Sequence, residues 1–220
     1  MKIERVALLL VASLVFSNSS SLGAVNALGY VNTLLPPGLS LLSNPLINND
    51  NRIENLLNPA VLPDGAIVYL MQEVGQVSVR WDATLRQWFP PELAGEELLP
   101  GEGFFFYNPN ASSLTLTFVG EVPQGLLTNV LPSGLSIRSS IVPQAGSLQQ
   151  LGFPAEPGDA VYTFNGTTQR YTSHFFDPFE LRWMPEEPRV EVGHAFFVYK
   201  EQPNEWVREF SIIGAQISAP

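Results

Sequence analysis

Leu35-Pro36-Pro37-Gly38-Leu39-Ser40 recurs 96 positions later as Leu131-Pro132-Ser133-Gly134-Leu135-Ser136, and three further landmarks follow each copy in the same order. Val68-Tyr69 answers to Val161-Tyr162. Asp82 and Trp88, with five residues between them, answer to Asp177 and Trp183, and Pro90 and Pro185 lie two residues beyond each tryptophan. Gly101-Glu102-Gly103-Phe104-Phe105-Phe106-Tyr107 answers to Gly193-His194-Ala195-Phe196-Phe197-Val198-Tyr199. Four landmarks in one order, at an offset drifting from 96 to about 92, define a duplicated unit of roughly 90 residues. What repeats is turn chemistry and apolar or aromatic strand residues. The ionisable residues diverge, with His194 opposite Glu102 and Glu186 opposite Pro91.

The N-terminus predicts export. Met1-Lys2-Ile3-Glu4-Arg5 precedes an apolar run from Val6 to Phe16 and then a Ser/Asn stretch ending in small residues. A charged start, a short apolar centre and a small-residue zone make a secretory leader, too short to span a bilayer core of about 30 Å. Cleavage after Ala24 or after Ala27 fits. The chain then divides into a leader (1–24), one unit (25–122) and a second unit (123–220), packed about a pseudo-twofold. A single closed sheet built from both halves is the alternative.

The chain has no cysteine, so disulfides, thiolate metal sites and cysteine lipidation are excluded. An exported chain of this kind is held by its core alone, and its charged fraction of 15% is correspondingly low against a norm of about 25%. Without the leader, nine Lys/Arg stand against twenty Asp/Glu, a net charge of −11. Such a surface repels phosphate backbones, and no basic cluster offsets it. Nucleic acid is not an expected partner, and no further apolar run is long enough to predict a membrane span.

Nineteen prolines and seventeen glycines punctuate short β-branched and aromatic runs, the signature of antiparallel sheet. In the first copy strands are expected at 28–34, 39–43, 66–72, 76–81, 103–107 and 113–119. Counterparts are expected at 126–131, 135–139, 160–164, 169–174, 195–199 and 206–212. Ser113 to Val119 alternates polar and apolar, so one face is wet. Asn165-Gly166 predicts a hairpin turn because both residues tolerate positive φ. Short helices are expected at 51–57 and 147–151. The fold class is therefore all-β: two tandem antiparallel sandwich-like or barrel-like units related by duplication, each with one short helix.

Taken together, Gly29-Tyr30-Val31-Asn32, Leu35 to Ser40, Asn44-Pro45-Leu46, Gly101 to Phe106, Phe118 to Gly125 and Gly193 to Val198 resemble a family of uncharacterised exported bacterial β-proteins. More loosely, each copy is similar to a small β-module of bacterial surface proteins, with a glycine-led first strand, a central Trp and a Gly-x-Gly-aromatic strand. The resemblance covers nearly the whole chain after the leader. It implies secretion and a β-rich fold, and it carries no catalytic or ligand residues with it. Ala195 in place of Gly103 suggests that close backbone approach is not needed in both copies.

Several residue groups are candidates for chemistry. Trp81, Trp88 and Trp183 would stack on sugar rings if they faced solvent, with Asp82 and Asp177 accepting hydroxyl hydrogen bonds. A Trp repeated at equivalent positions fits a packed core equally well. A glycosidase needs two carboxylates about 5 to 9.5 Å apart, and nothing in the spacing of Asp82, Glu92, Asp177 and Glu186 demands such a pair. His174 and His194 lack the spacing of a zinc site, and no Gly-x-Ser-x-Gly elbow surrounds Ser136, Ser139 or Ser140. Asn48-Asn49-Asp50-Asn51 with Glu54 is oxygen-rich but lacks the alternation and glycine of a calcium loop, and an Asx turn explains the same residues. No cofactor or metal is expected.

These residues predict a non-enzymatic exported protein with a structural or interaction role at the cell surface or in the periplasm, its partner a surface polysaccharide or an envelope protein. A carbohydrate-binding module using exposed tryptophans is the alternative, and a glycoside-active enzyme is a more distant one.

Overall fold

The computed structural model describes residues 27–72 and 75–212. The leader expected at 1–24 lies outside the described residues.

In the first half the strands are β1 (Leu28–Leu35), β2 (Gly38–Leu42), β3 (Ile67–Gln72), β4 (Gly75–Asp82), β5 (Gln87–Phe89), β6 (Phe104–Asn108) and β7 (Leu114–Glu121). A one-turn helix α1 (Ile53–Leu56) and a 3₁₀ turn (Pro91–Leu93) sit between them. The second half contains β8 (Gly125–Leu131), β9 (Gly134–Arg138), β10 (Gly146–Ser147), β11 (Ala160–Asn165), β12 (Arg170–Phe176), β13 (Trp183–Met184), β14 (Arg189–Val190), β15 (Phe196–Lys200) and β16 (Asn204–Phe210). All twelve expected strands are present, within two residues at every end.

Each half carries one five-stranded antiparallel sheet and one two-stranded ribbon. The sheets run β2-β6-β3-β4-β5 and β9-β15-β11-β12-β13, and the ribbons are β1-β7 and β8-β16. The order is the same strand for strand, with the small β10-β14 pair added in the second half. The two sheets stay separate, and isolated bridges at Leu42↔His194 and Glu102↔Arg138 link the halves.

Sequence explains the corner at which ribbon becomes sheet. Pro36-Pro37 interrupts the chain between β1 and β2, because proline has no N–H to give a ladder, and Gly38 follows at φ 90. Asn108 then stitches the corner: its carboxamide donates to the Leu35, Pro36 and Ser112 carbonyls and accepts from Asn110 N. Along β7, Leu116 and Phe118 are buried while Thr115, Thr117 and Val119 face outward, the alternation legible in the sequence.

Two local expectations are corrected. The second short helix does not form: Ser147 is drawn into β10 opposite Arg189, bonds from Leu151 N to Ser147 O and from Gly152 N to Gln149 O close one turn, and Gly152 at φ 67 ends it. The turn expected at Asn165-Gly166 is a four-residue loop closed by the Asn165↔Arg170 pair. Asn165 Oδ1 accepts from Thr167 N and Thr168 N, and the left-handed residue is Gln169 at φ 54, because the side-chain cap builds the first part of the turn.

Each half has its own core. The first centres on Leu35, Val68, Trp81, Trp88, Phe104, Phe106 and Phe118, the second on Leu131, Phe153, Val161, Trp183, Phe196, Val198 and Trp206. A third cluster of Leu41, Ile137 and Ala195, flanked by Phe105, Phe164 and Phe197, joins them.

Several contacts between the halves come in exchanged pairs. Ser43 N donates to Gly193 O at 3.0 Å, and Ser139 N to Gly101 O at 2.9 Å, each residue replaced by its repeat counterpart. The bridge Leu42↔His194 is matched by Arg138↔Glu102, and the equivalent Phe105 and Phe197 meet at 6.0 Å between ring centroids.

Candidate functional site

The structure buries the aromatic candidates. Trp81, Trp88 and Trp183 are each no more than 6% exposed. Trp81 lies 5.4 Å from Trp88, and Phe176, which takes the place of Trp81 in the second half, lies 5.3 Å from Trp183. These rings fill the space under β4-β5 and β12-β13, so they offer no open face to a sugar. The reading of exposed, sugar-stacking tryptophans is corrected on this ground. Trp183 borders a small cavity of about 410 Å³ with Phe176 and Glu186, but its ring packs between Phe153 and Phe176.

The acids beside them build turns. Asp82 Oδ1 accepts from Thr84 N at 2.9 Å and Leu85 N at 2.8 Å, ahead of the left-handed Arg86. Asp177 Oδ1 accepts from Phe179 N and Glu180 N at 2.8 Å each, ahead of the left-handed Leu181, and these bonds hold its carboxyl below the usual carboxylate range. Asp82, Asn165 and Asp177 thus serve one four-residue loop three times. Their oxygen-to-amide geometry accounts for the Asp-to-Trp spacing without a ligand.

The oxygen-rich loop at 48–54 is likewise occupied by the chain itself. Asp50 Oδ1 accepts from Arg52 N, and Oδ2 accepts from the Arg52 guanidinium and Asn55 Nδ2; the arginine lowers its carboxyl to about 2. Asn51 Oδ1 accepts from Asn48 N and Asn44 Nδ2. Among the described residues no group of three His, Asp or Glu converges as a metal site. His174 is buried, with Nδ1 at 2.9 Å from Glu186 O. His194 lies at the junction of the halves, where desolvation pushes its imidazole down from 6.5.

A cleft lies between the halves, at a site the sequence did not mark. About 900 Å³ in volume, it is bounded by Leu70 and Met71 of β3, Glu96, Glu97 and Glu102 of the β5–β6 connection, and Leu135, Ser136 and Arg138 of β9. Burial pushes the Glu102 carboxyl up and the Arg138 guanidinium down, each partly opposed by the other's charge. Arg138 Nε also donates to Val130 O at 2.8 Å, which keeps the guanidinium against the ribbon. Ser136 is 7% exposed and its hydroxyl has no hydrogen-bond partner. The signal that could have located the cleft is a length difference: two residues separate Gln72 from Gly75, whereas four separate Asn165 from Arg170.

The fold and cleft define an all-β protein of two sheet-and-ribbon halves. Compared with known proteins, the chain matches no protein-family model, no curated protein and no solved structure. Among the described residues no helix is long and apolar enough to cross a membrane.

Proposed function

We propose that this is a non-enzymatic exported β-protein that acts through interaction at the cell envelope. One observation carries the reading: each ribbon turns large apolar side chains outward at corresponding positions. Tyr30 on β1 is 72% exposed and its repeat counterpart Leu126 on β8 is 75% exposed; Leu34 and Val130 form a second exposed pair. Single exposed apolar residues are ordinary, but rows of them on a strand face are a common mark of a contact surface. Val119 lies opposite Tyr30, and Val207 opposite Thr128, so both strands of each ribbon contribute. An apolar face of this kind favours an envelope protein over a polysaccharide as partner.

The test has two parts. Cell fractionation with a C-terminal tag is expected to find a shortened chain in the envelope or medium; a full-length chain confined to the cytosol overturns export. A photo-crosslinking residue at position 30 or 126 is expected to capture envelope components, with position 84, exposed on the loop after β4 and away from both ribbons, as control. Turnover of a substrate, abolished by one substitution outside the core, would overturn the non-enzymatic reading.

A further inference from the structure

The two halves treat one repeated strand edge differently. On the edge of β2, the carboxamide of Gln169 reaches across from the other half and clamps Leu39: Leu39 N donates to Gln169 Oε1 at 3.0 Å, and Gln169 Nε2 donates to Leu39 O at 2.8 Å. A side-chain amide there does what a neighbouring strand's peptide group would do. The same carboxamide packs 3.0 Å from where a Cβ on Gly38 would stand.

The counterpart of Leu39 is Leu135 on β9, in the same register against β15 as Leu39 holds against β6. Ser139 N points off this edge to Gly101 O, so by the two-residue alternation of a strand the N–H and C=O of Leu135 point off it as well. Among the described residues no carboxamide clamps it, and a Cβ on Gly134 would meet nothing within 4 Å. The Leu135 side chain is 54% exposed. This edge opens into the cleft, beside the unpartnered Ser136 hydroxyl, with Glu96, Glu97 and Glu102 outnumbering Arg138.

We propose that the cleft binds an extended basic polypeptide segment, which pairs its backbone with Leu135 as Gln169 pairs with Leu39 and sets cationic side chains against the three glutamates. Strand addition to a free edge supplies affinity through main-chain bonds, and flanking side chains supply selectivity. The excess of carboxylates sets the charge of the partner and disfavours a second copy of this acidic chain. The inference rests on the interaction reading above and names a surface distinct from the ribbon faces.

The probe is the peptide Ac-Lys-Val-Lys-Val-Lys-NH₂, titrated into the full isotopically labelled chain and followed by amide chemical shifts. Shifts are expected at Leu135 and Ile137, and not at the clamped Leu39. The Glu-Val-Glu-Val-Glu analogue is expected to leave the spectrum unchanged. Leu135→Pro removes the outward N–H at an edge position that tolerates proline, and it should weaken binding by about tenfold or more. N-methylation of the central peptide residue, tested on the unaltered chain, should weaken binding as much and does not depend on the variant folding. Glu97→Gln with Glu102→Gln should weaken binding several-fold, about what loss of two charge contacts predicts. Absence of shifts on β9, equal binding of the acidic peptide, or indifference to N-methylation would overturn the proposal. Fractionation and ribbon cross-linking test the envelope reading separately, so either can fail without the other.

Discussion

Gly103 and Ala195, the same position in the two copies, face each other where the halves meet. A Cβ on Gly103 would stand 2.5 Å from the Ala195 Cβ and 2.2 Å from Ile137 Cγ2. The room one copy leaves by lacking a side chain is occupied by the methyl group of the other. Ile137 and the Ala195 methyl group together fill the space that a Cβ on Gly103 would need, so this position takes glycine while its counterpart carries a methyl group.

Gly103→Ala is expected to destabilise the protein by about 1–3 kcal/mol, the range for overpacking a well-filled contact. Adding Ala195→Gly should recover part of the loss, since Ile137 remains close. Urea denaturation of the two single variants and the double variant checks this, and a non-additive cycle is the expected outcome.

Lys200 is 1% exposed and donates to Asp159 Oδ2 at 2.7 Å and to Pro154 O at 3.0 Å. Its counterpart in the first half is Asn108, and that of Asp159 is the buried Ala66. One corner is thus held by a buried ion pair and the other by a carboxamide. Lys200→Met should cost about 3–5 kcal/mol by stranding a buried carboxylate. Lys200→Asn with Asp159→Ala, the first half's solution, should restore much of it in the same denaturation measurement.

Trp88→Ala is expected to cost about 3–5 kcal/mol through loss of a buried aromatic side chain. Tryptophan emission of the native chain should be blue-shifted and resistant to acrylamide, and soluble glycans should leave it unchanged. A glycan-induced shift lost in the Trp183→Phe variant would contradict the buried packing.

Burial holds the His194 imidazole below its ordinary 6.5, so the native state binds its proton less readily than the unfolded chain does. Above that ordinary value both states are neutral and the contribution is complete. As pH falls below it the unfolded state is protonated first, and stability declines until the native value is passed. The urea midpoint of the unaltered chain should therefore fall faster than that of His194→Gln between pH 7.5 and about 5.

Much of the strand pattern was legible because it rests on local physics. The alternation along β7, the prolines at the β1–β2 corner and the repeated landmarks each reflect a backbone or burial rule acting within a few residues. Asp82 and Asp177 read as candidate ligand positions because an aspartate capping its own backbone and an aspartate awaiting a hydroxyl look alike in sequence. The tryptophans were ambiguous for a similar reason: a strand places side chains on alternate faces, and which face is inside depends on the ribbon packed over it. The second short helix failed because Ser147 found a partner in Arg189, forty-two residues away.

By itself the sequence determined that the chain is all-β, where its strands run and that one plan is used twice, because turn residues and apolar alternation act locally. Only the tertiary structure decided which repeated positions meet, as with Gly103 against Ala195, and that Gln169 clamps the edge of β2 at Leu39. Those outcomes depend on contacts between residues about ninety or more positions apart, as when Gln169 reaches Leu39 across 130 residues.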